Sequence, residues 1–90
     1  MGISDSFKAL SDPIRREILF MLKDEPMTAG EIADKVNMSQ AAVSYHLAQL
    51  RKSDMVFSYN YKNYVYYENN KTVFEEIIVW LLQLKDKEER

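Results

Sequence analysis

The chain has 90 residues, no cysteine, two glycines, two prolines and a formal net charge of −2. That length makes one small domain, spanning 1–90, and 47% hydrophobic with 29% charged residues is a globular composition, not a disordered one. The absence of cysteine excludes a disulfide framework, thiolate metal ligands, a cysteine nucleophile and thiol redox sensing, and the acidic balance argues against a bulk polyanion binder.

In chain order, the opening residues Met1 to Ser6 lack a basic segment followed by an apolar one, so no secretory signal is expected. Ser4 to Leu10 is a short helical candidate with Ile3, Phe7 and Leu10 on one face. Asp12-Pro13 then starts a second helix, the aspartate as N-cap and the proline at the first helical position. Its apolar stripe is Ile14, Ile18, Met21 and Leu22, and Asp24-Glu25-Pro26 ends it. Thr28 with Glu31 has capping-box spacing and opens a third helix bearing Ile32, Ala33 and Val36. Asn37-Met38-Ser39 breaks that helix, and Ser39 caps a fourth running to about Ser53. Two helices joined by three or four residues, the second opening on a serine cap, have helix-turn-helix spacing.

The period then changes. Val56 to Tyr61 and Tyr64 to Tyr67 are β-branched and aromatic, and Lys62-Asn63 between them suits the tip of a two-stranded hairpin, with asparagine tolerating the left-handed conformation. Thr72 with Glu75 has capping-box spacing again and opens a last helix to about Lys85. The longest apolar run, Ile77 to Leu82, is too short for a bilayer, which takes about 20 residues. A soluble, cytoplasmic protein without membrane insertion is expected. The order is helix–helix–helix–helix–strand–strand–helix, mainly α with a β-hairpin.

At about 100° per residue, Val43, Leu47 and Leu50 of the fourth helix share one direction, which fixes its core side. Ala41, Tyr45, Ala48 and Lys52 point the opposite way, with Gln40, Ser44 and Arg51 on one shoulder. This outward face has small residues, an amide, a hydroxyl, a tyrosine and two cations, and no acid. Small side chains let a backbone approach a major groove, and Gln40 can pair with adenine N6 and N7. Ser39 and the free N–H groups of the helix start can hold a phosphate. An ordinary solvated face would usually carry several acids.

His46, the single histidine, flanks the core direction and is expected to be packed and hydrogen-bonded; no second histidine or cysteine exists to complete a metal site. Nothing resembles a catalytic constellation, so no enzyme and no cofactor is expected. Alternation puts Tyr59 and Tyr61 on one face of the hairpin and Tyr64 and Tyr66 on one face, where cross-strand pairing and packing on the helices are the expected role. Lys62 and Asn63 at the tip could touch DNA phosphate or minor groove. The last helix has nine apolar residues among Val73 to Leu84, more than one buried stripe requires. Either the first helix and the hairpin cover it within one subunit, or Phe74, Ile77, Ile78, Leu81 and Leu82 join Ile3, Phe7 and Leu10 in a two-fold dimer interface, the favoured alternative.

The run Phe7-Lys8-Ala9-Leu10-Ser11-Asp12-Pro13-Ile14-Arg15-Arg16-Glu17-Ile18-Leu19 resembles the opening signature of ArsR/SmtB-type winged helix-turn-helix repressors, as does the run Met38 to Arg51, and Val65-Tyr66-Tyr67 is similar to the end of the family's wing. The resemblance covers residues 5 to about 85. It implies a homodimer built on the first and last helices, binding double-stranded DNA at an inverted repeat, with Gln40, Ala41, Ser44 and Tyr45 as contacts. Metal-sensing members carry cysteines in the third helix or near the N-terminus, or histidine and acidic ligands in the last helix. Here the third helix reads Ala29-Gly30-Glu31-Ile32-Ala33 and the last helix has no histidine, a pattern most similar to the metal-independent, SdpR-like branch. Tyr45 stands where members often have histidine, and the wing tip Asn60-Tyr61-Lys62-Asn63 lacks the usual arginine and glycine.

The expectation is therefore a dimeric transcriptional repressor with Ser39, Gln40, Ala41, Ser44, Tyr45, Arg51, Lys52, Lys62 and Asn63 toward DNA and with no metal. A winged helix used as a protein-interaction module, or a regulator responding to a small ligand, are the alternatives. Residues 1–36 and 68–90 each sum to −2, whereas residues 37–67 have Arg51, Lys52 and Lys62 against Asp54 alone. The acidity belongs to the flanks, not to the recognition helix and hairpin.

Overall fold

A computed structural model describes residues 2–86. Met1 and residues 87–90, which entered the signal and charge readings above, lie outside the described residues. The elements are α1 (Ile3–Leu10), α2 (Pro13–Met21), β1 (Met27–Thr28), α3 (Ala29–Val36), α4 (Gln40–Lys52), β2 (Val56–Tyr61), β3 (Tyr64–Asn69) and α5 (Lys71–Lys85).

The capping chemistry forms as the sequence dictates at three helix starts. Asp12 accepts from the Ile14 and Arg15 N–H groups at 2.8 and 3.3 Å, with Pro13 in the first turn where a missing N–H costs nothing. Thr28 and Glu31 close the capping box at 3.2 and 2.8 Å. Ser39 Oγ accepts from the Ala42 N–H at 3.1 Å. The last carbonyls of α1, which lack helical partners, receive donors from outside: Arg15 Nε donates to Ala9 O at 2.9 Å and Arg16 Nη1 to Leu10 O at 2.7 Å. The α1–α2 corner is thereby locked by the very residues that begin α2. Asn37 ends α3 in the left-handed conformation, φ 57°, a backbone state asparagine tolerates better than most side chains.

Three local expectations are corrected. The sheet has three antiparallel strands in the order β1-β3-β2, not two, because Met27 and Thr28 pair with Tyr67 and Tyr66. A two-residue strand has no period to read, and its existence depends on β3. The positive φ of the hairpin tip belongs to Lys62 (φ 56°), not to Asn63. Finally, Thr72 is not a cap. Helix α5 starts at Lys71 with Asn70 as N-cap and no side-chain cap bond. The Asn70 amide instead donates to Asp54 O at 2.8 Å while its backbone N–H donates to Met55 O at 2.9 Å. Asn70 thus ties the base of the hairpin to the end of α4, and its side chain is not free to cap.

The core is built from Ile18, Leu19 and Leu22 of α2, Ile32 and Ala33 of α3, Val43, Leu47 and Leu50 of α4, with Ala9, Met27, Met55, Val56 and Ile77. Helix α4 therefore sits against α2 and α3 through one side only, its other side turned out. Helix α5 buries a single residue, Ile77.

Candidate nucleic-acid interface

Helix α4 is positioned by Val43, Leu47 and Leu50, all fully buried. With those three inward, Ser39, Gln40, Ala41, Ser44, Tyr45, Ala48, Arg51 and Lys52 are all exposed. They form one continuous surface along the helix. Tyr45 is 60% exposed, its ring meeting His46 edge-on at 5.6 Å. Both cations lie in the last turn and the first turn has no acid, so the N-terminal N–H groups, the end of the helix that attracts anions, are not shielded by a carboxylate. The Gln40 amide leans back toward α3: a Cβ built on Gly30 would meet its Oε1 at 3.6 Å. It must swing outward to reach a base edge.

Lys62 and Asn63 are exposed at the hairpin tip, on an element separate from the α4 surface. The Lys62 ammonium lies over the Tyr61 ring at 5.5 Å, a cation–π contact that partly anchors it. The tyrosines pair as alternation requires: Tyr59 stacks on Tyr66 at 6.0 Å and Tyr61 meets Tyr66 edge-on at 6.3 Å. They pack on each other more than on helices; among them only Tyr67 joins the periphery of the core.

His46 differs from expectation. It is half-buried, but its Nδ1 is enclosed without a hydrogen-bond partner among the described residues. It stands near the start of α2. There burial pushes the Asp12 carboxyl up, but the Ile14 and Arg15 N–H groups, with the charges of His46 and Arg15, outweigh that and hold it below its ordinary value. Among the described residues no three histidine or acidic side chains converge as a metal site would need.

The second surface lies on α1 and α5. Ile78, Val79, Leu81, Leu82 and Leu84 are between 45 and 67% exposed, while Ile77 is turned into the subunit's own core. Phe74 and Ile3 pack at the core's edge with Leu10, and Phe7 meets Trp80 edge-on at 5.5 Å. Sequence reasoning omitted Val79 and Leu84. It also missed Phe20 of α2, 71% exposed beside an apolar groove it shares with Leu10, Leu19 and Phe74. A phenylalanine on the side of α2 opposite the Ile14, Ile18, Met21 and Leu22 stripe was the signal available. No helix among the described residues is long and apolar enough to cross a membrane.

Comparison with known proteins matches this arrangement. Residues 12–58 fit the model of the bacterial regulatory protein, arsR family. The chain is 39% identical over 85 residues to the transcriptional repressor SdpR of Bacillus subtilis, covering 94% of each protein. It is 34% identical over 77 residues to the transcriptional activator HlyU of Vibrio cholerae, covering 86% of this chain and 71% of that one. Among solved structures, an ArsR-like transcriptional regulator from Rhodococcus sp. RHA1 superposes with a TM-score of 0.85 at 26% identity, covering 91% of this chain and 77% of that one. Five helices and a three-stranded antiparallel sheet, with α3 and α4 as the helix-turn-helix and β2–β3 as the wing, make the chain a winged helix-turn-helix protein that belongs to the arsR family of DNA-binding transcriptional regulators.

Proposed function

We propose that this protein is a transcriptional repressor in the cytoplasm that binds an inverted-repeat operator as a homodimer, with α4 of each subunit in a major groove and no metal in its regulation. The observation that carries the proposal is the acid-free outer face of α4. Its small side chains admit close approach, Tyr45 and, once swung outward from α3, Gln40 are placed for base edges, and Ser39, Arg51 and Lys52 for phosphates.

The dimer is supported by α5. Five exposed aliphatic side chains on one helix form a contiguous apolar surface of the kind that marks an interface. Covering the exposed half of each is worth about 1 kcal/mol per side chain. Two recognition helices related by a two-fold through such faces would meet half-sites about one DNA turn apart, the spacing usual for helix-turn-helix dimers. Metal independence is supported by the residues themselves: there are no cysteines and α5 has no histidine, so the soft and imidazole donors that select transition metals are missing from both usual places. The likeness to the repressor SdpR over nearly the whole chain supports repression as the sign of regulation.

The test is binding to the DNA upstream of the protein's own gene against a scrambled duplex, over a range of salt and with and without EDTA or zinc. Tight binding to the upstream DNA that weakens steeply with salt and ignores metal is the expected result. Equal binding to both duplexes would overturn sequence-specific repression, and a metal-dependent shift would overturn metal independence.

A further inference from the structure

Beside the recognition face, a cleft of about 470 Å³ opens between α1, α2 and α4. Lys8 of α1, Arg15 of α2 and Lys52 of α4 bring three cations to its walls, with Tyr45 and Gln49 between them and Asp5 the one acid. No ion pair neutralises any of the three cations among the described residues, where the one such contact is Lys23 with Asp24. Arg15 is held in place: its Nε donates to the Ala9 carbonyl at 2.9 Å. Its two Nη groups have no protein partner among the described residues, a planar fork fixed at the cleft wall, as suits a phosphate oxygen. Sequence reading could not find this group, because Lys8, Arg15 and Lys52 meet only through the packing of three helices.

We propose that this cleft is a second phosphate site of the DNA interface, in which Lys8 and Arg15 act with Lys52 on the DNA backbone outside the base-reading face; this rests on the DNA-binding reading above. A helix lying in a major groove about 12 Å wide has one phosphate strand along each flank. On α4 one flank carries Gln40, Ser44 and Arg51. The opposite shoulder carries Gln49, and Gln49 with Tyr45 and Lys52 at that edge of the outward face forms the α4 wall of the cleft. DNA seated on α4 therefore runs one of its strands past the cleft mouth, where three cations face it and one carboxylate opposes it. Because α1 is both a wall of the cleft and a helix of the proposed dimer, the strand engaged is the one leading toward the two-fold axis between half-sites.

The test compares Lys8→Gln with Lys23→Gln, a cation in the turn that follows α2, in the intact protein. Both residues are exposed, so both variants should melt with the wild type. For Lys8→Gln the slope of log K against log salt should fall by about 0.9, which is a loss of about eightfold at 0.1 M salt. The loss should be the same on upstream and scrambled DNA, since a phosphate contact reads no sequence. Lys23→Gln should leave the slope unchanged. If the wild type binds the upstream DNA selectively but Lys8→Gln keeps its slope and affinity, the cleft is not on the DNA and the inference fails while the function stands. If the wild type shows no selective binding, both fail. If inorganic phosphate binds the free protein through Lys8 while the DNA slope is unchanged, the cleft belongs to a small anion and the inference is overturned.

Discussion

Helices α4 and α5 are both amphipathic and both leave one side uncovered, yet they leave opposite chemistries there. Helix α4 puts three aliphatic residues fully inside and turns out a surface of small, polar and cationic side chains without an acid. Helix α5 puts one residue inside and turns out five aliphatic ones. Water tolerates the first face and penalises the second. An uncovered polar, cationic face gains by meeting phosphates, from which it releases counterions; an uncovered aliphatic face gains by meeting another aliphatic face. The same small core thus carries a surface suited to nucleic acid and a surface suited to a second copy of itself. A chain of this size, with a thin margin of stability, benefits from the second.

The most damaging way to break this division is to charge the α5 face. Leu82→Glu should leave the subunit folded, because Leu82 is half-exposed, but abolish the proposed dimer in sedimentation. Affinity for a full operator should then fall on the order of hundredfold or more, since the second half-site is no longer bound as one event. Retained dimerisation with full DNA affinity would remove α5 from the interface. The next effect belongs to α4. Gln40→Ala should cost about 1–3 kcal/mol on the upstream DNA and little on scrambled DNA. A uniform loss on both would make Gln40 a backbone contact and not a base reader.

The smallest effect lies behind α4, at the corner that sets it against α1 and α2. The folded chain holds Asp12 ionised more readily than an unfolded chain does. A carboxylate with a lowered folded value stabilises fully above its ordinary value of about 4, and that contribution is lost as pH falls through the folded value. Asp12→Ala should cost about 1 kcal/mol at neutral pH as a lost N-cap. Denaturation measured down the acid range should show the gap between variant and wild type narrowing below about pH 4. A gap constant across that range would assign the cap's worth to packing and not to the carboxylate.

What the sequence made legible was whatever is decided within a few residues. Asp12-Pro13, Thr28 with Glu31, and Ser39 each cap a helix with neighbours three positions away or fewer, and the outward face of α4 follows from the helical period. What it hid depends on distant partners. The strand Met27–Thr28 exists because Tyr66 and Tyr67 lie beside it. Thr72 has the spacing of a cap, but the helix starts earlier, at Lys71, with Asn70 at its head bound to the Asp54 carbonyl sixteen residues away. The helical angle of His46 sets it beside the core, but the period of one helix cannot show that its Nδ1 is enclosed without a partner among the described residues. The Lys8, Arg15 and Lys52 cleft is of the same kind, assembled from three helices that share no local pattern.

The central claim is that the two uncovered faces act together, the α5 face joining two chains so that two α4 faces read one operator. Sedimentation of the protein on the DNA upstream of its gene, compared with a duplex containing one half-site, tests this most directly. Two chains per full duplex, bound at least about a hundredfold more tightly than the half-site, is the predicted result. One chain per duplex with equal affinity for both would contradict it.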